Sequence, residues 1–183
     1  MNIEIISGSP RTNSVTHRVA LFLQKHFAAN TQHNIGLLDV RDWNMPLLNF
    51  VIGTPDQAPD HLKPLANRMF AADAFILVTP EYNGSYSAAL QNLLDHFPKQ
   101  SRKAFGLVTG SPGALAGARA SQQLLLLVPA LFGIAAPNML LVPFLDQKFS
   151  PEGELTDAGF QKSVDTFTNE FLWLAEALAA NKG

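Results

Sequence analysis

Short apolar runs alternate with longer segments of helical periodicity along most of the chain. Five of the runs have the length and composition of buried strands: residues 2–7, 34–40, 74–80, 104–110 and 140–144. Apolar residues recurring every three or four positions predict helices over about 14–29, 57–72, 85–97 and 114–128, and a last helix from Phe160 to Leu178. The apolar stripe of this last helix spans fewer than three heptads, so we interpret it as a face packed on a sheet rather than a coiled coil.

Strands that are apolar throughout predict a parallel sheet covered by helices on both faces. Right-handed crossovers favour a doubly wound five-stranded α/β sheet of order 2-1-3-4-5. In such a sheet, ligands bind beyond the carboxyl ends of the strands, where the winding reverses between strands 1 and 3. We therefore expect the loop after strand 1 and the loop after strand 3 to form one site.

The first of these loops lies in the stretch "IISGSPRTNSVT", residues 5–16, and holds one glycine, one arginine and several hydroxyls. Ser9, Ser14 and Thr16 can donate hydroxyl hydrogens at a helix N-terminus, and Arg11 can pair with phosphate oxygens. Neither G-x-G-x-x-G nor the Walker pattern is present, which favours a terminal monophosphate over a pyrophosphate. The alternative is that Ser14 is only a helix cap and Arg11 only a solvated surface residue.

The second loop, "TPEYNGSY", has a backbone restricted by Pro80 and made flexible at Gly84. We expect the N–H groups of Glu81, Tyr82 and Asn83 to point outward along the edge of a flat heterocycle, with Tyr82 packed on a ring face. After strand 4, the segment "TGSPG" brings Ser111 and Gly113 toward the other end of the same ring. The alternative is a plain turn before a helix.

Together these residues resemble the NADPH-dependent FMN reductase family of flavodoxin-like proteins. Its G-S-x-R-x-x-S motif is matched by Gly8, Ser9, Arg11 and Ser14. Its P-E-Y-N-G-S motif is matched by residues 80–85, with Asn92 and Asp95 at the expected offsets. The resemblance covers roughly residues 2–145 and implies a flavodoxin-like fold.

The resemblance also implies a cofactor and a reaction. Ser9, Arg11, Ser14 and Thr16 would hold the FMN phosphate, Pro80, Glu81, Tyr82 and Asn83 would line the isoalloxazine, and Ser111 and Gly113 would lie near its far edge. The protein would be an oxidoreductase that passes electrons from NADPH or NADH through FMN to a quinone, flavin or similar acceptor, without a catalytic side chain. It would form a homodimer or homotetramer.

Three positions depart from the family pattern. Thr16 stands where the family often has Asn, and Ala116-Gly117 replaces a Gly-Gly pair, which narrows that side of the site. Tyr86-Ser87 replaces the proline that follows P-E-Y-N-G-S, so we expect a different entry into the helix.

Composition narrows the classes of partner and location. The 183 residues predict a single domain over 1–183, and the absence of cysteine excludes disulfides and thiol chemistry. A net charge of −2 gives no reason to expect nucleic acid or a membrane surface as partner, and the N-terminus lacks a signal peptide, so we expect a cytoplasmic protein. Prolines 129, 137 and 143 interrupt the long apolar run before Asp146, which therefore predicts a helix end, a connection and a buried strand.

Other functions fit the residues less well. "TGSPG" hints at a hydrolase nucleophile at Ser111, but all five histidines precede it, whereas an α/β-hydrolase needs one downstream. The histidines also lack metal-ligand spacing. A flavodoxin-like electron carrier, an FMN-binding module without enzyme activity, or an interaction protein that has lost its flavin remain as alternatives.

Overall fold

The strands and helices alternate along the chain in the computed structural model, which describes residues 1–181. The strands are β1 (Asn2–Ser7), β2 (Asn34–Asp39), β3 (Ala74–Pro80), β4 (Ala104–Gly110), β5 (Ile134–Ala135) and β6 (Leu140–Val142). The helices are α1 (Val15–Asn30), α2 (Lys63–Ala71), α3 (Ala88–Asp95), α4 (Ala118–Ala130), the short α5 (Leu145–Lys148) and α6 (Gln161–Ala180). No helix among these described residues has both the length and the apolar character needed to cross a membrane.

The strands form one parallel sheet in the order β2-β1-β3-β4-β5, which confirms the predicted order. In register, Ser7 lies beside Asp39 on one side and Val78 on the other, and Pro80 lies beside Gly110. The ends of β1, β3 and β4 therefore meet at one edge of the sheet. The loops predicted to form a site leave the sheet at this edge.

The outer edge of the sheet differs from the prediction, because the fifth strand is divided into β5 and β6, and both pair with β4. Ala135 lies opposite Phe105 and Leu140 lies opposite Val108. Between these two pairings the outer strand advances by five residues, whereas β4 advances by three. The extra residues include Pro137, which has no N–H to donate to the ladder. The apolar run 124–145 thus holds a helix end, a connection and strand residues, as predicted.

Helices cover both faces of the sheet, and alternate residues of β3 serve the two layers. Ile76 and Val78 belong to the core beneath α1 and α6, whereas Phe75 and Leu77 belong to the core beneath α2, α3 and α4. The stripe of α6 packs on the sheet as predicted. A Cβ on Gly106 of β4 would come within 2.9 Å of the Phe167 ring, so this glycine allows the close approach of α6.

Three helices begin later than their periodicity predicts. The start of α2 at Lys63 follows two short turns of 3-10 helix, at 55–57 and 60–62. The start of α3 at Ala88 follows Ser87, whose hydroxyl accepts a hydrogen bond from the Leu90 N–H at 3.1 Å. The start of α4 at Ala118 follows two left-handed residues, Ala116 (φ 55°) and Gly117 (φ 76°).

Candidate functional site

The loops after β1, β3 and β4 border one cleft of about 230 Å³. Eight of the predicted site residues line it: Ser9, Arg11, Ser14, Thr16, Pro80, Glu81, Tyr82 and Ser111. Gly113 lines a neighbouring cavity together with Glu81 and Ser111, and Asn83 is exposed on the turn beyond the cleft. Sequence reasoning missed Asn13, Val15, Gly110 and Pro112, which complete the lining.

Gly8 places the first loop tightly against α3. A Cβ on Gly8 would lie 3.0 Å from Leu90 Cβ and 3.2 Å from the Val78 carbonyl oxygen, so a larger residue would push the loop away. The Gly8 N–H donates to that same carbonyl at 2.8 Å, and the buried Ser87 hydroxyl donates to the Gly8 carbonyl. The only glycine of this loop therefore serves packing, and the loop offers its hydroxyls and N–H groups to the cleft.

The N-terminus of α1 carries the hydroxyls that face the cleft. Ser14 caps the helix by accepting a hydrogen bond from the His17 N–H at 3.2 Å. The sequence-based alternative assigned Ser14 this capping role. Its hydroxyl also lies 3.0 Å from that of the buried Thr16. Since unpaired N–H groups and the helix dipole favour an anion here, this pair of hydroxyls adds donors to a site that is already electropositive.

Tyr82 joins the first loop to the second. Its hydroxyl lies 3.2 Å from Ser9 Oγ, and the Arg11 guanidinium stands over its ring, 4.7 Å from the centroid. Ser9 is buried and Arg11 is exposed. The first loop thus presents two different groups to the cleft, the buried hydroxyl of Ser9 and the long, exposed cationic side chain of Arg11.

The second loop is a tight two-residue turn. Tyr82 and Ser85 exchange backbone hydrogen bonds of 2.8 and 3.1 Å around Asn83 (φ 52°) and Gly84 (φ 82°). Positive φ at both central residues is the type I′ pattern for which Asn-Gly is the preferred pair. The expectation that the Tyr82 N–H points outward is therefore wrong, because this donor closes the turn.

Glu81 connects the second loop to α4. Its carboxylate accepts hydrogen bonds from the Arg119 backbone N–H at 3.1 Å and from the Arg119 guanidinium at 3.2 Å. The Glu81 side chain is mostly buried, and Arg119 is exposed. A carboxylate at the first turn of a helix is stabilised by the helix dipole, so Glu81 acts as a side-chain bridge across the cleft wall.

The Ser111 side chain makes only local hydrogen bonds within the loop after β4 among the contacts of the described residues. Ser111 Oγ donates to the Gly113 carbonyl at 3.1 Å and accepts from the Gly113 N–H at 3.2 Å. Its hydroxyl therefore closes a local turn instead of contacting a histidine base. Within residues 1–181 there is also no group of three His, Asp or Glu side chains that could hold a metal ion.

A charged cluster beneath the first loop was not foreseen from the sequence. The buried Asp39, at the end of β2, pairs with Arg41, whose Nη1 donates to the Thr12 carbonyl at 3.0 Å. His17 Nδ1 lies 3.1 Å from Asp39 Oδ2 and 2.9 Å from Ser7 Oγ. Only the topology, which places β2 beside β1, could have brought Asp39 and Arg41 under this loop.

Burial and pairing shift the protonation equilibria of this cluster. Burial raises the pKa of Asp39, but hydrogen bonds from the Arg41 side chain and backbone outweigh it, and the net pKa is lowered. Burial lowers the pKa of His17, although Asp39 partly opposes this effect. Because a carboxylate can only accept, we assign the proton of the neutral His17 ring to Nδ1.

The chemistry of the cleft fits a planar group that carries a phosphate. Two adjoining hydroxyls, a helix N-terminus and an arginine suit a phosphate monoester. Pro80, Val15, Gly110 and Pro112 supply apolar and backbone surface for a flat ring system. Fold and site together thus define a flavodoxin-like protein with a cleft suited to a flavin mononucleotide.

Comparison with known proteins agrees with this class. The model of the family described as NADPH-dependent FMN reductase matches residues 1–145. The FMN-dependent NADPH-azoreductase of Staphylococcus aureus is 32% identical over 176 residues, which is 92% of each chain. The chain belongs to the NADPH-dependent FMN reductase family, and the predicted FMN-dependent NAD(P)H oxidoreductase class is confirmed.

Solved structures show the same fold at lower identity. The flavoenzyme NAD(P)H:(acceptor) oxidoreductase FerB from Paracoccus denitrificans has a TM-score of 0.76 at 21% identity and covers 96% of this chain and 97% of its own. The apo form of the NADH:FMN oxidoreductase EMOB has a TM-score of 0.70 at 23% identity, and the match covers 99% of this chain and 91% of the EMOB chain. A single-residue mutant of a flavodoxin from Pseudomonas aeruginosa has a TM-score of 0.54 at 23% identity, with full coverage of both chains.

Proposed function

We propose that the cleft binds FMN with its phosphate at the first loop and its ring against the second. Ser9, Arg11, Ser14 and Thr16 would hold the phosphate, Pro80, Glu81, Tyr82 and Asn83 would line the ring, and Ser111 and Gly113 would border its far edge. The observation that carries this proposal is the direct contact of the two loops, where Tyr82 meets Ser9 and Arg11.

The reaction needs binding and positioning from this chain more than acid or base chemistry. Bound FMN would supply hydride acceptance from a nicotinamide and electron donation to an acceptor. Ser14 and Thr16 would donate hydroxyl hydrogens to the phosphate. The Arg11 guanidinium would turn away from the Tyr82 ring and pair with the phosphate. Glu81, fixed on Arg119, would keep the loop after β3 at a constant separation from the start of α4. No side chain is assigned as a catalytic acid or base.

Azo compounds, quinones and free flavins are the acceptor classes that we propose, with NADPH or NADH as the electron donor. The name of the Staphylococcus aureus relative supports the azo class. The apolar surface beside Ser111 and Pro112 supports flat aromatic acceptors, since such surface favours stacking of planar rings.

Titration of the apo-protein with FMN and with riboflavin, followed by flavin fluorescence, tests this assignment. FMN should bind at least tenfold more tightly than riboflavin, because only FMN carries the phosphate. The FMN-loaded protein should then oxidise NADPH in the presence of an azo dye or a quinone. Equal affinity for the two flavins would contradict the phosphate site, and loaded protein that NADPH cannot reduce would indicate an electron carrier.

We also propose a single-domain cytoplasmic enzyme that forms a homodimer or homotetramer. The dependence of the family on NADPH supports a cytoplasmic location, because this electron donor is maintained inside cells. Three apolar side chains around the end of α4 are exposed: Leu126, Phe132 and Ile134. They support self-association, since large apolar patches on a protein surface are usually covered by a partner. Cell fractionation and light scattering test these two points.

A further inference from the structure

A second cavity borders the first loop and the start of α1. It has a volume of about 290 Å³, and its lining includes Thr12, Asn13, Ser14, His17, Arg18 and Arg41. Asn13 and Ser14 also line the cleft, so both spaces border this loop. No carboxylate belongs to the cavity lining among the described residues, whereas two guanidinium groups do.

Arg41 is held in place before any ligand binds. Its Nε contacts both carboxylate oxygens of Asp39, at 2.9 and 3.0 Å, and its Nη1 donates to the Thr12 carbonyl. Asp39 is only 5% exposed and does not line the cavity, whereas Arg41 does. A preorganised guanidinium loses little side-chain entropy when it binds an anion.

Arg18 supplies positive charge that no buried carboxylate offsets. Its Nη1 donates to the Phe149 carbonyl at 3.1 Å, which leaves the donors on Nε and Nη2 for other partners. Asp42 and Glu152, the acidic residues on the neighbouring turns, are exposed, so water and salt screen them. Since burial lowers the pKa of His17, the two arginines are the cations of this cavity at neutral pH.

We propose that this cavity binds the 2′-phosphate of NADPH and that Arg18 makes the protein prefer NADPH to NADH. A phosphate monoester carries about −1.5 to −2 charges at pH 7 and accepts paired hydrogen bonds from a guanidinium. NADH differs from NADPH only in lacking this group. The proposal rests on the proposed function, because it places the nicotinamide end of the same molecule in the cleft, which shares Asn13 and Ser14 with this cavity.

Replacement of Arg18 by Gln tests the assignment by steady-state kinetics with both nicotinamides. The ratio of the KM for NADPH to the KM for NADH should rise about tenfold in Arg18→Gln. Arg18→Lys keeps the charge and should keep the ratio within about threefold of wild type. Lys162→Gln, which removes an exposed cation from α6, is the matched control and should leave the ratio unchanged.

Calorimetry with 2′,5′-ADP and 5′-AMP provides a readout that does not depend on turnover. Wild type should bind 2′,5′-ADP more tightly than 5′-AMP, with or without FMN, and Arg18→Gln should abolish the difference. An unchanged KM ratio, equal affinities in wild type, or displacement of FMN by 2′,5′-ADP would each overturn the proposal. Failure of wild type to bind FMN would instead refute the proposed function, and the calorimetry of the apo-protein would still decide on this cavity.

Discussion

Arg41 holds the loop that faces the cleft, although it lies outside the cleft itself. Its guanidinium links the buried Asp39 carboxylate to the carbonyl of Thr12, so charge pairing and loop shape depend on one side chain. A buried ion pair adds little net stability compared with apolar packing, but the loss of one partner leaves an uncompensated charge. The shape of the loop is therefore coupled to the state of Asp39.

Replacement of Arg41 by Gln should lower the free energy of unfolding at pH 7 by about 2–3 kcal/mol, because the Asp39 carboxylate loses its principal partner. The deficit should shrink at low pH. A lowered folded-state pKa means that the pair stabilises the protein above the ordinary value of 3.8, and that this stabilisation is lost as the pH falls through the lowered pKa. Urea denaturation at pH 7 and near pH 3 measures both effects.

The double variant Asp39→Asn/Arg41→Gln provides the control for this prediction. With both charges removed, no buried carboxylate is left alone, so the double variant should be more stable than Arg41→Gln at pH 7. A double variant that is as unstable as the sum of the two single variants would show that Arg41 acts through packing and not through charge.

The start of α4 shows how two adjacent residues set the beginning of an element. Ala116 and Gly117 both have positive φ, which costs energy at Ala116 because it carries a Cβ. The Thr109 hydroxyl holds the turn by donating to the Ala116 carbonyl at 2.8 Å. A strained alanine therefore stands where the family pattern has a glycine.

Replacement of Ala116 by Gly should raise the free energy of unfolding by about 1 kcal/mol, since relief of the left-handed strain exceeds the added flexibility of the unfolded chain. For a chain of this size, that change corresponds to an increase in Tm of roughly 2–4 °C. Gly117→Ala should have the opposite effect, because its Cβ would also lie 3.0 Å from Thr109 Cβ. Ala118→Gly, within the helix, is the control and should not stabilise; calorimetry compares the three.

The identity of the helices and strands could be predicted from periodicity, but several of their ends could not. The start of α3 depends on the Ser87 hydroxyl capping Leu90, and the start of α4 on left-handed residues that helical spacing does not reveal. The break between β5 and β6 depends on how many residues fit opposite β4, which is a property of the pairing and not of the local sequence. Local patterns therefore predict the elements, and tertiary contacts decide where they begin and end.

The arrangement of the whole molecule explains which parts of the site were foreseen. Parallel order brings the loops after β1 and β3 together, so Ser9 and Tyr82 could be assigned to one cleft from topology together with the motifs of the two loops. The cluster of His17, Asp39 and Arg41 was not foreseen, because its members carry no motif that marks them, although the predicted order already places β2 beside β1. Motifs thus predicted the cleft surface but not the charges that support it from below.

Two histidines of α1 should make the stability of the molecule depend on pH. Burial lowers the pKa of both His17 and His26, so the unfolded chain binds more protons below about pH 6.5. Stability should therefore fall as the pH decreases from 6.5 through their lowered folded-state values. His17→Gln and His26→Gln should each flatten part of this slope in denaturation curves between pH 7 and 5, and the double variant should flatten more. An unchanged slope in both single variants would contradict this assignment.

Self-association provides the remaining test of the whole molecule, and the chain offers a matched control for it. Leu126 and Phe132, near the end of α4, are 68% and 62% exposed, and Trp173 on α6 is 66% exposed. If the face around α4 is the interface, Leu126→Glu and Phe132→Glu should convert an oligomer into monomers, because each would bury an unpaired charge. Trp173→Glu should leave the oligomer intact. Multi-angle light scattering distinguishes these outcomes, and dissociation caused only by Trp173→Glu would place the interface on α6 instead.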